Sequence, residues 1–372
     1  MKYYIIAGEA SGDLIASDLM KELKLLDPEA KFRCWGGDKM QAQGGDLVKH
    51  YRELSFMGFT EVAMNIRTIL KNMKYCKKDI LEYHPDVILL VDYPGFNLRI
   101  AGFANKHNIK VYYYISPQVW AWKKSRVNKI KRTVDRMFVI LPFEKDFYRS
   151  YGYEVDFVGH PLLDVLPEHF EKKVKTNFFE RYKLEDKPVI AILPGSRRQE
   201  VSKMLNIMIK LVPLFKECQF VIGGEPSIPR EFYHKIIGDL NVRIVFDGFH
   251  ELLQSAEAAI VTSGTATLET ALMNVPEVVC YKGSYISYHI ARHVVNVKYI
   301  SLVNLIMDHQ IVKELIQYDL NVDNLKEELI SLLYDKNYRN RMIENFKSLR
   351  EKLGSKGASR KTAELMINYI HS

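Results

Sequence analysis

Cysteine is scarce in this chain. Four occur in 372 residues (Cys34, Cys76, Cys218 and Cys280), none at C-x-x-C spacing, so neither a disulfide framework nor a cysteine zinc site is indicated and reduced thiols are expected. Long apolar runs are also missing. Nothing approaches the ~20 residues that cross a bilayer, and the apolar stretch at residues 3–7 is too short for a signal peptide, so a cytoplasmic protein is expected. No D-x-D occurs, which leaves a carboxylate-held divalent ion on a diphosphate without support, and no cofactor is called for. His289 and His293 have the spacing of a zinc-protease helix, but Ile290 stands where its glutamate belongs, so no metal is expected there either.

What is present is the composition of a soluble globular protein, 47% hydrophobic and 26% charged. At this length two cores are expected, since a single core rarely grows past roughly 250–300 residues. The net charge of +8 favours anionic partners: nucleotides, acidic lipid surfaces or nucleic acid.

Short apolar runs alternate with helical patterns along the chain. Strands are expected at residues 2–7, 87–91, 111–115, 137–141 and 155–158, and again at 189–193, 219–222, 243–246, 259–262 and 278–281. Such alternation predicts parallel sheets wound with helices on both faces, hence an α/β protein of two Rossmann-like doubly wound domains facing a central cleft. The boundaries read as a first domain over 1–167, a charged linker over 168–187, a second domain over 188–345 and a helical tail over 346–372.

The most informative stretch is VIAILPGSRRQEV, residues 189–201. A buried strand stops at Pro194-Gly195, Ser196 reads as the helix N-cap, and an amphipathic helix follows from Gln199 to Lys210. A turn of this kind aims free N–H groups from the positive end of a helix, and Arg197 or Arg198 adds charge, which makes a cradle for phosphate. The bland alternative is an ordinary connection with two solvated arginines. A second turn, Ser263-Gly264-Thr265, opens another helix, with Glu269 one turn in and placed to accept hydrogen bonds from ribose hydroxyls. Two such turns in one domain favour a nucleoside diphosphate site.

In the first half, Gly8-Glu9-Ala10-Ser11-Gly12-Asp13 is again a strand-to-helix loop, but without the glycine spacing of a dinucleotide fingerprint. Hydroxyl recognition by Glu9, Ser11 and Asp13 suits it better. Asp92 follows the strand at 87–91, where the sheet rule puts ligands, as a catalytic acid or base or merely a helix cap. His160 also ends a strand and reads either as catalytic or as a structural histidine. Residues 116–122 bring Trp120 and Trp122 beside the basic run Lys123 to Arg132. Its apolar face at Val127, Ile130 and Val134 argues for a solvated helix over nucleic acid, with a phosphate or lipid headgroup contact as the functional alternative. Phe59 to Met73 reads as a helix buried on one face, or as a basic amphipathic helix lying on an anionic membrane.

Assembled, these motifs resemble those of the bacterial lipid-A-disaccharide synthases. The matching stretches are AGEASGD (7–13), VDYPGFN (91–97), ISPQVWAW (115–122), RVNKIKRTVD (126–135), PFE (142–144), FVGHPLLD (157–164), LPGSRRQEV (193–201), SGTATLE (263–269) and SLVNLI (301–306), in the family's order over nearly the whole chain. The resemblance implies an inverting glycosyltransferase of GT-B architecture. Such an enzyme transfers the diacylglucosamine of its UDP donor to the 6-hydroxyl of 2,3-diacylglucosamine 1-phosphate and releases UDP at the inner membrane surface, where it is peripheral. It implies that Gly195, Ser196, Arg197, Ser263, Gly264, Thr265 and Glu269 hold UDP, with Asn304 and Gln317 lining that side. Glu9, Ser11, Asp13 and Trp120 would lie on the acceptor side. Asp92 would be the general base, with His160 its rival. Two departures stand out: Gly95 replaces the family's usual second aspartate, leaving Asp92 without an acidic neighbour, and Val303 replaces a proline. A UDP-sugar epimerase or peptidoglycan glycosyltransferase would share the UDP loops but not residues 91–122, and a non-enzymatic basic protein is the reading from a different class.

Overall fold

The apolar runs become the central strands of two all-parallel sheets in the computed structural model, which describes residues 1–54, 66–122, 124–166, 172–283 and 298–371. The first sheet holds β1 (Lys2–Ala7), β2 (Lys31–Gly36), β3 (Asp46–His50), β4 (Val87–Val91), β5 (Lys110–Tyr114), β6 (Arg136–Val139) and β7 (Asp156–Phe157), in the order β3-β2-β1-β4-β5-β6-β7. Alternate side chains serve opposite faces. Tyr4, Ile6, Ile88, Leu90 and Tyr113 join one core, filled by residues of helices Ile66–Tyr83, Pro94–Lys106 and Val127–Thr133. Tyr3, Ile5, Leu89, Val91 and Tyr112 join the other, filled from helices Ala10–Leu26 and Ala358–His371.

Strand order reverses at β1, which lies between β2 and β4, so Ala7 pairs with Val91 and the carboxyl ends of β1 and β4 sit side by side. That is the switch point at which open α/β sheets take ligands. The second sheet repeats the device. Its strands β8 (Val189–Leu193), β9 (Gln219–Gly223), β10 (Arg243–Val245), β11 (Ala256–Thr262), β12 (Glu277–Tyr281) and β13 (Lys313–Ile316) run β10-β9-β8-β11-β12-β13, with the reversal between β8 and β11.

Strands β2, β3 and β13 are additions to the sequence expectation. β3 and β13 are short edge strands, where one side of the backbone is unpaired and charged residues are tolerated, so neither carries a continuous apolar run. In β2, Lys31 and Arg33 interrupt the buried Phe32, Cys34 and Trp35.

The chain divides into one unit made of Met1–Asp164 with Leu353–Ser372 and another of Val165–Lys352. Within the stretch read as a linker, helix Lys172–Tyr182 belongs to the second unit, where Arg181 bonds Glu251 at 2.8 Å. Of the stretch read as a tail, residues 346–352 are the end of helix Lys336–Lys352 and stay with the second unit, while Ala358–His371 returns to pack on Ala10–Leu26. The return is fastened by Asp164, whose carboxylate accepts from the Gly357 and Ser359 N–H groups at 2.6 and 3.4 Å. The His160 N–H adds a bond to the Leu353 carbonyl at 3.1 Å. Among the described residues no helix is long and apolar enough to cross a membrane.

Candidate active site

At the switch point of the second sheet lies a cleft of ≈ 250 Å³. One wall comes from the loop after β8. Gly195 has φ +109, a left-handed backbone that glycine adopts without strain, and a Cβ there would sit 2.9 Å from Glu200 Oε2. The N-cap of the following helix, Arg198–Met208, is Arg197 rather than Ser196, and no side chain caps it. Among the described residues its first-turn N–H groups thus have no capping side-chain acceptor, which is the condition for holding an anion. The two arginines part company. Arg197 is not among the lining residues but bonds one of them, Glu200, through Oε1 at 3.1 Å, whereas Arg198 stacks over the Phe232 ring at 4.8 Å.

The facing wall is the loop after β11. Gly264 is the N-cap of helix Thr265–Leu272, and Ser263, Gly264, Thr265 and Ala266 all line the cleft. Gly195 and Ser196 line it too, so two helix starts converge on one space. Burial raises the Glu269 carboxyl to about 7, and His250 Nε2 lies 3.9 Å from it. The remaining wall was not foreseen: Gly223, Gly224 and Glu225 from the end of β9 onward, and Val245, Phe246 and Phe249 from the end of β10 onward. The glycine pair is required by packing, since a Cβ on Gly223 would meet Leu193 at 2.7 Å and one on Gly224 the Phe246 ring at 2.7 Å. A Gly-Gly directly after an apolar run was the available signal.

Asn304 is not a lining residue. It is fully buried, its amide donates to the Val312 carbonyl and to Glu314, and its oxygen accepts from the Ile311 and Val312 N–H groups. Every polar atom is engaged in holding the turn before β13, so the expectation that it faces the donor is corrected. Gln317 directly follows β13 with φ +55 and is likewise absent from the cleft walls, though its buried Nε2 has no hydrogen-bond partner among the described residues.

At the switch point of the first sheet stand Glu9 and Asp92, just past the paired ends of β1 and β4. Asp92 and Tyr93 are both left-handed, at φ 44 and 49, a strain found where structure serves function. The Asp92 backbone is pinned. Its N–H donates to the Tyr114 carbonyl at 3.0 Å, and its own carbonyl accepts from Tyr113 Oη at 2.5 Å and Asn97 Nδ2 at 2.7 Å. Burial and then the negative charge of Glu9 push the Asp92 carboxyl up to about 6. The expectation that Gly95 leaves Asp92 without an acidic neighbour is therefore corrected, because sheet topology supplies Glu9. Gly8 permits this arrangement, since a Cβ there would fall 2.3 Å from the Tyr93 ring.

Other expected site residues are otherwise engaged. Ser11 is exposed on the first turn of its helix. Asp13 is buried and accepts from the N–H groups of Gly37, Lys39 and Met40 at 2.7, 3.2 and 3.1 Å, so it caps the short helix Asp38–Ala42 instead of meeting a sugar. Trp120 is buried, edge-on to Phe143, with its Nε1–H donating to Glu144 Oε1 at 3.2 Å. It therefore positions a buried carboxyl and offers no face to a ligand. His160 is buried, its Nδ1 accepts the Leu162 N–H at 3.2 Å, and burial lowers it to about 4, so it is a neutral turn residue beside the chain crossing. His289 and His293 lie outside the described residues.

Comparison with known proteins gives the family and agrees with the fold. The sequence profile of one family, described as lipid-A-disaccharide synthetase, matches residues 3–367. A lipid-A-disaccharide synthase of Syntrophus aciditrophicus (strain SB) is 39% identical over 373 residues, spanning 98% of this chain and 97% of the relative. One of Myxococcus xanthus (strain DK1622) is 37% identical over 373 residues, with the same 98% and 97% coverage. Among solved structures, the UDP-GlcNAc 2-epimerase of Neisseria meningitidis bound to UDP-GlcNAc superposes with a TM-score of 0.68 at 15% identity, over 99% of this chain and 100% of that one. The glycosyltransferase of kitacinnamycin gives 0.66 at 12% identity, over 99% of each chain. At such identities the likeness speaks for the fold alone, the GT-B fold of two Rossmann-like domains.

Proposed function

The chain belongs to the lipid-A-disaccharide synthetase family and is a glycosyltransferase, and from that premise we propose how its residues divide the reaction. The substrates are UDP-2,3-diacylglucosamine and 2,3-diacylglucosamine 1-phosphate. The observation that carries the donor assignment is the convergence of two uncapped helix starts on one cleft. The diphosphate takes the N–H groups after Gly195 and Gly264, Arg197 adds charge, Glu269 accepts from the ribose, and the base lies against Phe246 and Phe249. Asp92 removes the proton from the acceptor 6-hydroxyl as that oxygen bonds to the anomeric carbon. The bond from that carbon to the diphosphate oxygen breaks, UDP leaves with the electron pair, and inversion gives the β-1,6 disaccharide. A UDP-release assay with the acylated acceptor tests this, and a protein that binds both substrates without releasing UDP would refute it.

Glu9 tunes the base. A carboxyl at about 6 remains mostly ionised at pH 7 yet binds a proton more tightly than an ordinary aspartate. In a plot of kcat/KM against pH, activity should rise through about 6 as Asp92 ionises. Replacing Glu9 by Gln removes the like charge, so the rise should move to lower pH. A rise that stayed in place would remove Glu9 from this role.

Contact with the membrane is proposed to be peripheral. Residues 59–65 of the expected amphipathic helix lie outside the described residues, and the observed helix runs from Ile66 to Tyr83. Its Ile66 (44% exposed), Leu70 (60%) and Leu81 (41%) share one side by spacing, with Arg67, Lys71, Lys74 and Lys78 exposed beside them. Ile69, by contrast, is half-buried. The double change Ile66→Ser and Leu70→Ser should weaken binding to anionic vesicles and leave the fold intact. Unchanged vesicle binding would discard this helix as the contact.

A further inference from the structure

The turn that follows β10 carries part of the cleft wall. Phe246 and Phe249 line the cleft, and His250 Nε2 stands 3.9 Å from Glu269. Asp247 between them is open to solvent, and Gly248 is left-handed at φ +96. Turns of this kind are the mobile part of a fold unless other elements fasten them. Helix Lys172–Tyr182 supplies the fastening, and its last two residues take one side of the turn each. The Tyr182 hydroxyl donates to the Asp247 carbonyl at 2.5 Å, directly beside Phe246. Arg181 donates through Nη1 and Nη2 to the two oxygens of Glu251, at 2.8 and 3.2 Å, two residues beyond Phe249. A paired contact of this geometry fixes orientation as well as distance. Gly248 lets the turn close on that carboxylate, since a Cβ there would lie 2.6 Å from Glu251 Oε2 and 3.7 Å from Arg181 Nη1. Tyr182 is itself seated against the buried ring of Phe178, with the centroids 4.9 Å apart.

Stability does not account for these contacts. The Arg181 side chain is 49% exposed and that of Glu251 31%, and exposed ion pairs contribute little to folding. What they do fix is the stretch between their two ends, which is the stretch that presents both phenylalanines. We infer that Arg181 and Tyr182 are positioning residues for the donor: from outside the cleft they hold Phe246 and Phe249 in the arrangement that receives the nucleobase, so the wall is formed before UDP arrives. The inference rests on the placement of the base proposed above. A preformed wall reduces the ordering that binding would otherwise require. Because the base is remote from the reacting bond, that gain is the same in the ground and transition states, and it should appear in the donor KM and not in kcat.

The test uses full-length protein carrying Arg181→Gln and Tyr182→Phe together, beside Tyr182→Phe alone, which loses a single hydroxyl and is the variant least able to disturb folding. In the double variant the donor KM and the inhibition constant of UDP should rise by roughly 5–50-fold, the penalty for ordering two aromatic side chains on binding instead of beforehand. The inhibition constant of inorganic pyrophosphate, which has no base to meet the wall, should stay near the wild-type value, and so should kcat. Tyr182→Phe alone should show the same pattern at smaller size. An equal loss for UDP and pyrophosphate would mark a general loosening of the cleft and overturn the assignment, as would a loss for neither or a fall in kcat at unchanged donor KM. Phe249→Ala separates this inference from the reading beneath it. If that variant binds UDP normally, the base does not lie against this wall and the donor placement falls. If it loses UDP affinity while the Arg181 and Tyr182 changes leave that affinity intact, the positioning role alone falls.

Discussion

Asp92→Asn is expected to lower turnover by about 10²–10⁴, the range for removing a general base, while UDP affinity stays near the wild-type value. The substitution keeps the side-chain shape, and the Asp92 contacts that pin the loop are made by its backbone, so the strained turn should survive. Only the proton acceptor is lost. UDP affinity should persist because every residue lining the cleft belongs to the second unit. Calorimetry with UDP beside steady-state turnover separates the two effects. His160 is the rival, but a buried imidazole held at about 4, with Nδ1 already accepting a hydrogen bond, is a weak base. Near-normal turnover in Asp92→Asn, together with its loss in His160→Ala, would pass the role to His160.

Arg197→Ala should cost about 10²–10³ in turnover, as for the loss of one preorganised donor to developing negative charge. Its pairing with Glu200 does not weaken the claim. The guanidinium is 57% exposed and the carboxylate 36%, and exposed pairs of this kind are worth roughly 0–1 kcal/mol. A diphosphate seated on two helix starts can therefore displace Glu200 from Arg197 with little opposition. Because the residues at the cleft supply this charge, activity should persist in EDTA. Abolition by EDTA with recovery on adding magnesium would refute the metal-free reading, and Arg197→Ala with full turnover would refute the donor role.

Much of the fold was legible because buried parallel strands advertise themselves. The apolar runs at residues 3–7, 87–91 and 189–193 fill β1, β4 and β8, and each switch point has at least one of these strands at its centre. What stayed illegible depended on partners distant in the chain. Asp13 in a glycine loop has the look of a ligand group, and nothing local reveals that Gly37 to Met40 donate to it. Asn304 and Trp120 sit in motifs of the functional kind, yet each is consumed by its neighbours, Glu314 and Glu144. The reverse error concerns Glu9. Gly95 suggested an isolated Asp92, because the pairing of Ala7 with Val91 that brings Glu9 alongside is a property of strand order and leaves no trace near either residue.

The returning helix Ala358–His371 has a consequence for how the protein is made. Its Ala363 and Met366 complete the core that contains Tyr3, Ile5 and Leu19, so these strand and helix residues wait until the whole second unit has been translated before that face is covered. Throughout synthesis of the second unit, an apolar surface of the first stays open to chaperones and to other nascent chains. A fragment cut after Lys352 would carry the same defect permanently, and expressing the first unit alone would require joining residues 353–371 to it through a designed linker.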